Sequence, residues 1–364
     1  MNAARHLRDL PSQARDLYVR ARRAPQLEER VADLRANIED LKRRVAEQDL
    51  HTNHLEQLLH RAGQLNVAGL DLEAAGDPEK YARWLTWRPP GHFYSAIPNL
   101  DELEKQADVL WPAVVPSEIP GIDLREDEQL ATFAKVAKFA RELDVFEQPT
   151  EPWRYYTENV AYGPGDALIL HGLLRQIRPK RLIEIGSGHS SAMTLDTVEH
   201  FLGGQTELTF IEPYPELLES LLRPGDRERI TVVPSALQQV PLETFTSLQD
   251  GDVLFIDSTH VLKTGSDVAW LYGTVLPAIN EGVWVHIHDM FYPFEYPKSW
   301  VMEGRAWSEA YIVRAFLAFN HDFEIVLWGD WLARFHWDQI EAELPPMLAN
   351  PGGALWLRRT ARSR

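Results

Sequence analysis

Hydrophobic residues near the start of the chain recur in alternating steps of four and three from residue 27 to residue 45. Charged side chains fill the positions between them. Such spacing places one apolar stripe on a helix, which is typical of a coiled-coil seam. The stripe positions are Leu27, Val31, Leu34, Ile38, Leu41, Val45, Gln48, Thr52, Leu55 and Leu59. We predict a coiled coil over residues 27–60 that joins copies of the chain. A long helix packed on its own domain is the alternative.

Short apolar runs alternate with helical stretches from about residue 152 onward. This alternation predicts an α/β domain with a parallel sheet between helices. The predicted strands are residues 181–185, 208–212, 229–233, 252–257, 282–288, 323–328 and 354–359. We assign residues 151–364 to this domain. Residues 61–150 are predicted to form a helical cap or linker, with one amphipathic helix over residues 124–145.

Charge and composition argue against several classes of protein function. The 364-residue chain has a net charge of −17 and no cysteine. Net negative charge argues against nucleic-acid binding. The lack of cysteine excludes disulfides and suits the reducing cytoplasm, which is the expected location. No apolar run approaches the ~18 residues that cross a bilayer. Residues 1–26 carry six arginines against two aspartates. This basic arm predicts a solvated helix or, alternatively, peripheral contact with an acidic partner or a membrane surface.

Acidic residues stand where four of the predicted strands end: Glu184, Glu212, Asp257 and Asp289. Ligands of open parallel sheets bind beyond the carboxyl ends of the strands, so these residues predict an acidic crevice. A pyrophosphate would be repelled there, whereas a ligand with an amine and a sulfonium would be attracted. The turn "GSGHSS" nearly fits a dinucleotide fingerprint. The acidic crevice nevertheless favours S-adenosylmethionine.

Two glycines and one acid suggest how this ligand is held. Gly186 and Gly188 allow the backbone to approach the ligand closely. Glu212 follows Gly188 by 24 residues. An acid at about this distance binds the ribose hydroxyls in dinucleotide-binding folds, and we expect the same role here.

Four segments together resemble the motifs of class I S-adenosylmethionine-dependent methyltransferases: "RLIEIGSGHSS", "LTFIEPYPELL", "LFIDSTHV" and "VHIHDMFYPFEYP". The nearest group is similar to bacterial sugar-type O-methyltransferases. The resemblance covers roughly residues 150–364. It implies a Rossmann-like sheet of seven strands with the last antiparallel, and methylation of a hydroxyl on a sugar, a glycan or another small molecule. The cofactor-binding residues that it implies are Glu184, Gly186, Ser187, Gly188, Glu212, Ser235, Ala236 and Asp257.

The resemblance also implies a catalytic arrangement. Metal-dependent members of the family have a ligand Asp after strand four, a base three residues later and an acidic pair after strand five. Asp257, His260 and the pair His288–Asp289 occupy these places. His260, with an ordinary pKa near ~6.5, would take the hydroxyl proton. Asp257, His288 and Asp289 would bind Mg²⁺, Mn²⁺ or Fe²⁺. Imidazole is a poor ligand for Mg²⁺, so the alternative is that His288 packs and no metal binds.

An aromatic segment follows Asp289. Its side chains, Phe291, Tyr292, Phe294 and Tyr296, are predicted either to stack on the acceptor or to pack on their own core. Two other function classes stay open. One is an inactive Rossmann-like subunit that acts through its coiled coil, and the other is an NAD(P)-dependent oxidoreductase. The sequence does not identify the acceptor or distinguish O- from N- or C-methylation.

Overall fold

The computed structural model describes residues 88, 90–159 and 161–360. The basic arm over residues 1–26 and the coiled coil over residues 27–60 lie outside the described residues, so self-association stays a prediction. Within the described ranges, no helix is long and apolar enough to cross a membrane.

Seven strands form one sheet in the order β3-β2-β1-β4-β5-β7-β6. Neighbouring strands from β3 to β5 run parallel, and β7 is antiparallel to both β5 and β6. The strands are β1 Arg181–Ile185, β2 Glu207–Ile211, β3 Ile230–Val233, β4 Val253–Ile256, β5 Trp284–Ile287, β6 Phe323–Trp328 and β7 Leu355–Arg359. This result confirms the predicted seven-stranded Rossmann-like fold, and each predicted strand is correct to within two residues at its ends.

The chain crosses between parallel strands through helices, as parallel pairing requires. The helices are α1 Leu100–Lys105, α2 Ala107–Leu110, α3 Glu126–Ala140, α4 Pro164–Ile177, α5 His189–Phe201, α6 Glu216–Leu221, α7 Leu242–Thr246, α8 Asp267–Trp270, α9 Leu276–Ala278, α10 Lys298–Met302, α11 Glu309–Leu317, α12 Gly329–Phe335 and α13 Trp337–Glu343. A π-helical turn, Leu271–Val275, joins α8 to α9. Right-handed crossovers place the helices that follow β1 and β2 on one face and those that follow β4 on the other.

The strand order reverses between β1 and β4, which lie side by side at the centre of the sheet. The chain leaves these two strands toward opposite edges, so a crevice opens beyond their carboxyl ends. β4 can occupy this central place because all four of its residues, Val253 to Ile256, are apolar and fully buried. We therefore expect the ligand site at the loops that follow β1, β2 and β4.

Helix α3 is the predicted amphipathic helix, and its apolar side packs against α4 and β6. Phe133, Val136 and Ala137 are fully buried. A glycine makes this close packing possible: a Cβ at Gly172 of α4 would lie 2.7 Å from the carbonyl oxygen of Val136. Residues 126–140 thus share a core with the sheet. One compact unit starts at Arg88. The predicted domain boundary at residue 150, between the helical cap and the α/β domain, stays a prediction.

Candidate active site

A cavity of about 390 Å³ lies at the carboxyl ends of β1, β2 and β4. Its volume is in the range of small-molecule sites, roughly 300–1,000 Å³. The predicted cofactor residues that line it are Gly186, Glu212, Ser235, Ala236 and Asp257. Glu184, Ser187 and Gly188 are not among its lining residues but belong to the strand and turn that border it. Tyr214, Lys263 and Asp267 also line the cavity, and the sequence did not single them out.

Gly186 starts the turn after β1, and its position admits no side chain. Its φ angle is +77°, in the left-handed region, and a Cβ would lie 1.9 Å from the carbonyl oxygen of Asp257. The backbone N–H of Asp257 donates to the carbonyl of Ile185. β1 and β4 are thereby held together where they border the cavity, and only glycine fits the turn between them.

The turn also fixes Glu212, which follows β2. One carboxylate oxygen of Glu212 accepts a hydrogen bond from the backbone N–H of Tyr214 at 2.8 Å. The other oxygen accepts from the N–H of Ser187 at 3.3 Å. A carboxylate that is oriented before the ligand arrives can accept ribose hydroxyls at a lower entropic cost.

Glu184 lies within β1 and is fully buried. Its Oε1 accepts hydrogen bonds from the hydroxyls of Ser190, at 2.5 Å, and Ser191, at 2.9 Å, in the first turn of α5. Burial nevertheless raises the pKa of Glu184 to about 8. Burial therefore favours the protonated form of Glu184. The reason is that its strand position removes it from water.

The amino group of S-adenosylmethionine fits this environment. Glu184 Oε2 is buried and has no hydrogen-bond partner among the described residues, and neither has Ser187 Oγ. Unsatisfied buried polar atoms are costly and mark places where a ligand donor completes the bonding. An ammonium group beside Glu184 would favour the charged form of the acid. The cofactor's ribose would meet Glu212, and Ser235 and Ala236 would border its adenine.

His260 is the centre of a second group of residues, next to the cavity. Its ring is almost fully buried, and its Nδ1 lies 2.8 Å from the Glu309 carboxylate. Its Nε2 lies 3.4 Å from Asp257 Oδ1 and 3.5 Å from Asp289 Oδ2. The indole of Trp307 packs beside the ring at 4.5 Å. Asp257 lines the cofactor cavity as well, so it connects the two groups of residues.

The three carboxylates change the acid–base behaviour of His260. Burial lowers its pKa, but the hydrogen bonds to Asp257 and Glu309 outweigh burial and raise the pKa to about 10. These contacts favour the protonated form of His260. The sequence prediction used the ordinary pKa of histidine, near ~6.5, and took no account of Glu309; the catalytic role of His260 stays a prediction.

Metal binding by Asp257, His288 and Asp289 stays a prediction. Among the described residues, no group of three or more His, Cys, Asp or Glu side chains is arranged to hold a metal ion. His288 Nε2 lies 3.7 Å from Asp289 Oδ1, and His260 Nε2 lies within 3.5 Å of both aspartates.

The two histidines of β5 differ from each other. His286 is fully buried against the ring of Phe255, at 3.9 Å, and burial lowers its pKa well below its ordinary value. His286 is thus a neutral core residue. Burial also acts on His288, but the neighbouring carboxylates, Asp289 foremost, raise its pKa.

The aromatic segment after β5 packs mostly on its own core. Tyr292, Phe294 and Tyr296 are at most 2% exposed, and only Phe291 is half-buried. The alternative of an aromatic loop packed inward is thus observed for these three residues. Two tryptophans from outside this segment lie near the site: Trp307, beside His260, and Trp300, whose ring meets Trp307 at 5.4 Å.

Glu309 is a site residue that sequence reasoning missed. It starts α11, is fully buried, and accepts from Ser258 Oγ at 2.7 Å and Tyr272 OH at 3.0 Å as well as from His260. Its signal in the sequence is weak, because a single Glu in the first turn of a helix is ordinary. Only tertiary contacts show that this one faces the core.

A model of the methyltransferase domain matches residues 183–290, from β1 to just beyond β5. An uncharacterised protein from Archaeoglobus fulgidus is 32% identical over 169 residues, which are 44% of this chain and 74% of that protein. The residues that the domain model matches contain the glycine turn and both aspartates of the site. With the sheet order and the cavity, they show that the chain belongs to the class I S-adenosylmethionine-dependent methyltransferases.

Solved structures give more distant likenesses. The O-methyltransferase TomG from Streptomyces achromogenes, involved in tomaymycin synthesis and solved in complex with SAM, is 18% identical. The alignment covers 71% of this chain and 99% of TomG, with a TM-score of 0.35. A putative O-methyltransferase from Klebsiella pneumoniae is 14% identical, with coverage of 71% and 97% and a TM-score of 0.35. At these scores the likenesses carry no argument about the site.

Proposed function

We propose that this methyltransferase transfers the methyl group of S-adenosylmethionine to a hydroxyl of a small molecule, most simply a sugar or glycan. The observation that carries the proposal is the position of Asp257. It lines the cofactor cavity and also faces His260 beside Asp289. A methyl donor in the cavity would therefore lie next to a cluster of acid–base groups, as methylation of a hydroxyl requires.

The accessibility of these groups suggests which one receives the hydroxyl proton. The ring of His260 is 5% exposed, and both of its nitrogens face carboxylates. The side chains of Asp257 and Asp289 are 32% and 16% exposed. We assign Asp289 as the proton acceptor, because Asp257 borders the cofactor and burial raises the pKa of Asp289. His260 would then hold both carboxylates in place.

Cofactor binding provides the first test. We expect Glu212→Ala to weaken the binding of S-adenosylmethionine by about 1–3 kcal/mol, because two hydrogen bonds to the ribose are lost. Isothermal titration calorimetry measures the change. Glu228→Ala is the matched control, since Glu228 is exposed and does not line the cavity; its affinity should equal that of the unchanged protein. If the unchanged protein does not bind the cofactor, the proposed function is wrong.

Replacement of the proposed base provides the second test. We expect Asp289→Asn to lower kcat by about 10²–10⁴-fold, the usual contribution of a general base. Affinity for the cofactor should stay unchanged, because Asp289 does not line the cavity. A panel of sugars and phenols with radiolabelled S-adenosylmethionine, followed by mass spectrometry, identifies the acceptor for these assays.

The pH dependence separates Asp289 from His260. A carboxylate base loses its proton below this range, so at saturating S-adenosylmethionine we expect kcat to stay level between about pH 7 and pH 9. A base with a pKa of about 10 would instead give a rise of about tenfold per pH unit over this range. Such a rise would assign the role to His260. Cofactor binding without turnover on any acceptor would favour the inactive assembly subunit.

A further inference from the structure

We propose that Trp300, Trp307 and Arg305 form the acceptor-binding surface, and that the acceptor is a hydroxylated ring that carries an anionic group, a carboxylate or a phosphate. This inference rests on the proposed function, since it names the substrate class of the same site. The observation that carries it is the position of the two indoles beside the proposed acid–base groups, with the guanidinium of Arg305 held over both of them.

Ring contacts join this surface to the proposed base, Asp289, from two directions. The rings of Trp307 and His260 have centroids 4.5 Å apart, and His260 Nε2 lies 3.5 Å from Asp289 Oδ2. On the other side, the ring centroid of Trp300 lies 5.2 Å from that of Phe291. Phe291 follows Asp289 by two residues. A ring that contacts the indoles can therefore present a hydroxyl to Asp289.

The two indoles are suited to a ring ligand. Trp300 and Trp307 meet edge to face, with ring centroids 5.4 Å apart and an angle of 80° between the ring planes. Both residues are half-buried, so part of each stays accessible. Aromatic side chains that are fixed in this way and remain accessible beside acid–base groups stabilise a bound ring by stacking and by the burial of apolar area.

Arg305 provides selectivity for an anion. Its guanidinium carbon lies 4.6 Å from the ring centroid of Trp300 and 5.2 Å from that of Trp307, so cation–π attraction orients the group. The side chain is 39% exposed. A planar, permanently charged guanidinium in a fixed orientation matches the oxygens of a carboxylate or a phosphate. The indoles would then bind the acceptor ring, and Arg305 would bind its anionic group.

A carboxylate of the chain itself already contacts this guanidinium. Nε and Nη2 of Arg305 each lie 3.0 Å from Glu303 Oε2. Exposed ion pairs of this kind contribute little to stability, because water solvates both partners. The contact shows that a carboxylate can reach the guanidinium, and an anionic acceptor can displace Glu303 at low cost. Removal of the Glu303 charge should therefore strengthen the binding of the acceptor.

Ligand-observed nuclear magnetic resonance, with excess S-adenosylhomocysteine present, tests the proposal without methyl transfer. The probes are two pairs of an acid and a neutral counterpart: D-glucuronate with D-glucose, and 4-hydroxybenzoate with phenol. We expect the acid of at least one pair to bind at least about tenfold more tightly than its neutral counterpart. The pair that shows this preference distinguishes a sugar acceptor from a phenolic one.

Substitutions assign the preference to Arg305. We expect Arg305→Gln to lower the affinity for the acid at least about tenfold and to leave that for the neutral counterpart unchanged. Glu303→Gln should raise the affinity for the acid by about two- to fivefold. Arg227→Gln is the matched control, because Arg227 is another exposed arginine that pairs with a glutamate; its affinities should equal those of the unchanged protein. Circular dichroism checks that these variants are folded.

Two results would overturn the proposal. One is equal or undetectable binding of the acids and their neutral counterparts by the unchanged protein. The other is a preference for the acid that Arg305→Gln leaves intact. Both substitutions at the ion pair replace exposed side chains, so the variants should fold and the comparison can be made.

Methyl transfer gives a separate measurement. If the proposed function holds, Arg305→Gln should raise the KM for the acid at least about tenfold and leave kcat nearly unchanged, because Arg305 binds the acceptor without taking part in proton transfer. Methyl transfer to the neutral compounds alone would contradict the inference and support the proposed function. Acid binding with the expected effects of the variants, but without methyl transfer, would refute the proposed function and leave the binding surface standing.

Discussion

Replacing Arg154 by methionine is expected to lower the free energy of unfolding by about 3–5 kcal/mol, because it leaves buried carboxylates without their cation. The guanidinium lies 2.8 Å from Asp196 and 2.6 Å from Asp226, and all three side chains are at most 1% exposed. It also pairs with Glu199 at 2.6 Å. Asp196 and Glu199 lie on α5, the helix that follows the glycine turn. We therefore expect cofactor affinity to fall in the same variant.

Urea denaturation followed by circular dichroism measures the loss of stability. Arg227→Met is the matched control: Arg227 pairs with Glu219 at 2.7 Å, but the two side chains are 52% and 39% exposed. Exposed pairs contribute about 0–1 kcal/mol. A loss below about 1 kcal/mol for Arg154→Met would show that the neighbouring arginines or water replace the lost cation. At acidic pH the loss of unfolding free energy in Arg154→Met should be smaller, because protonation neutralises the buried carboxylates that have lost their cation.

Gly186→Ala is expected to weaken the binding of S-adenosylmethionine by at least about 100-fold, or ~2.7 kcal/mol. A Cβ at this position would lie 1.9 Å from the Asp257 carbonyl oxygen. The clash must be relieved by moving the end of β1 away from β4, and both strand ends border the cofactor cavity. Calorimetry gives the change in affinity, and chemical denaturation gives the accompanying loss of stability.

Gly203→Ala is the control that separates the steric clash at position 186 from the strain of a non-glycine residue in the left-handed region. Gly203 has nearly the same φ angle, +70°, but a Cβ there meets nothing within 4 Å. Left-handed backbone costs a non-glycine residue roughly 1–2 kcal/mol, so Gly203→Ala should lose that much stability and keep its cofactor affinity. Equal effects of the two substitutions would mean that strain, rather than the contact between Gly186 and Asp257, explains the result.

The sequence by itself determined the sheet and its binding edge. Runs such as "RLIEI" and "DVLFID" predict buried strands because a parallel sheet covered on both faces excludes polar side chains from strand interiors. Every parallel strand ends at the same edge, so Glu212, Asp257 and Asp289 could be placed near one another from their order alone. The glycine turn after β1 belongs to the same local information, since its residues adjoin in the chain.

Only the tertiary structure decided the chemistry at that edge. Glu309 reaches His260 across 49 residues of sequence, and no local pattern marks such a contact. The protonation of His260 depends on which carboxylates surround its ring, and that of Glu184 depends on its removal from water. Both are properties of the folded environment rather than of residue type. For the same reason spacing alone could not show that Asp257 and Asp289 both lie within 3.5 Å of His260 Nε2.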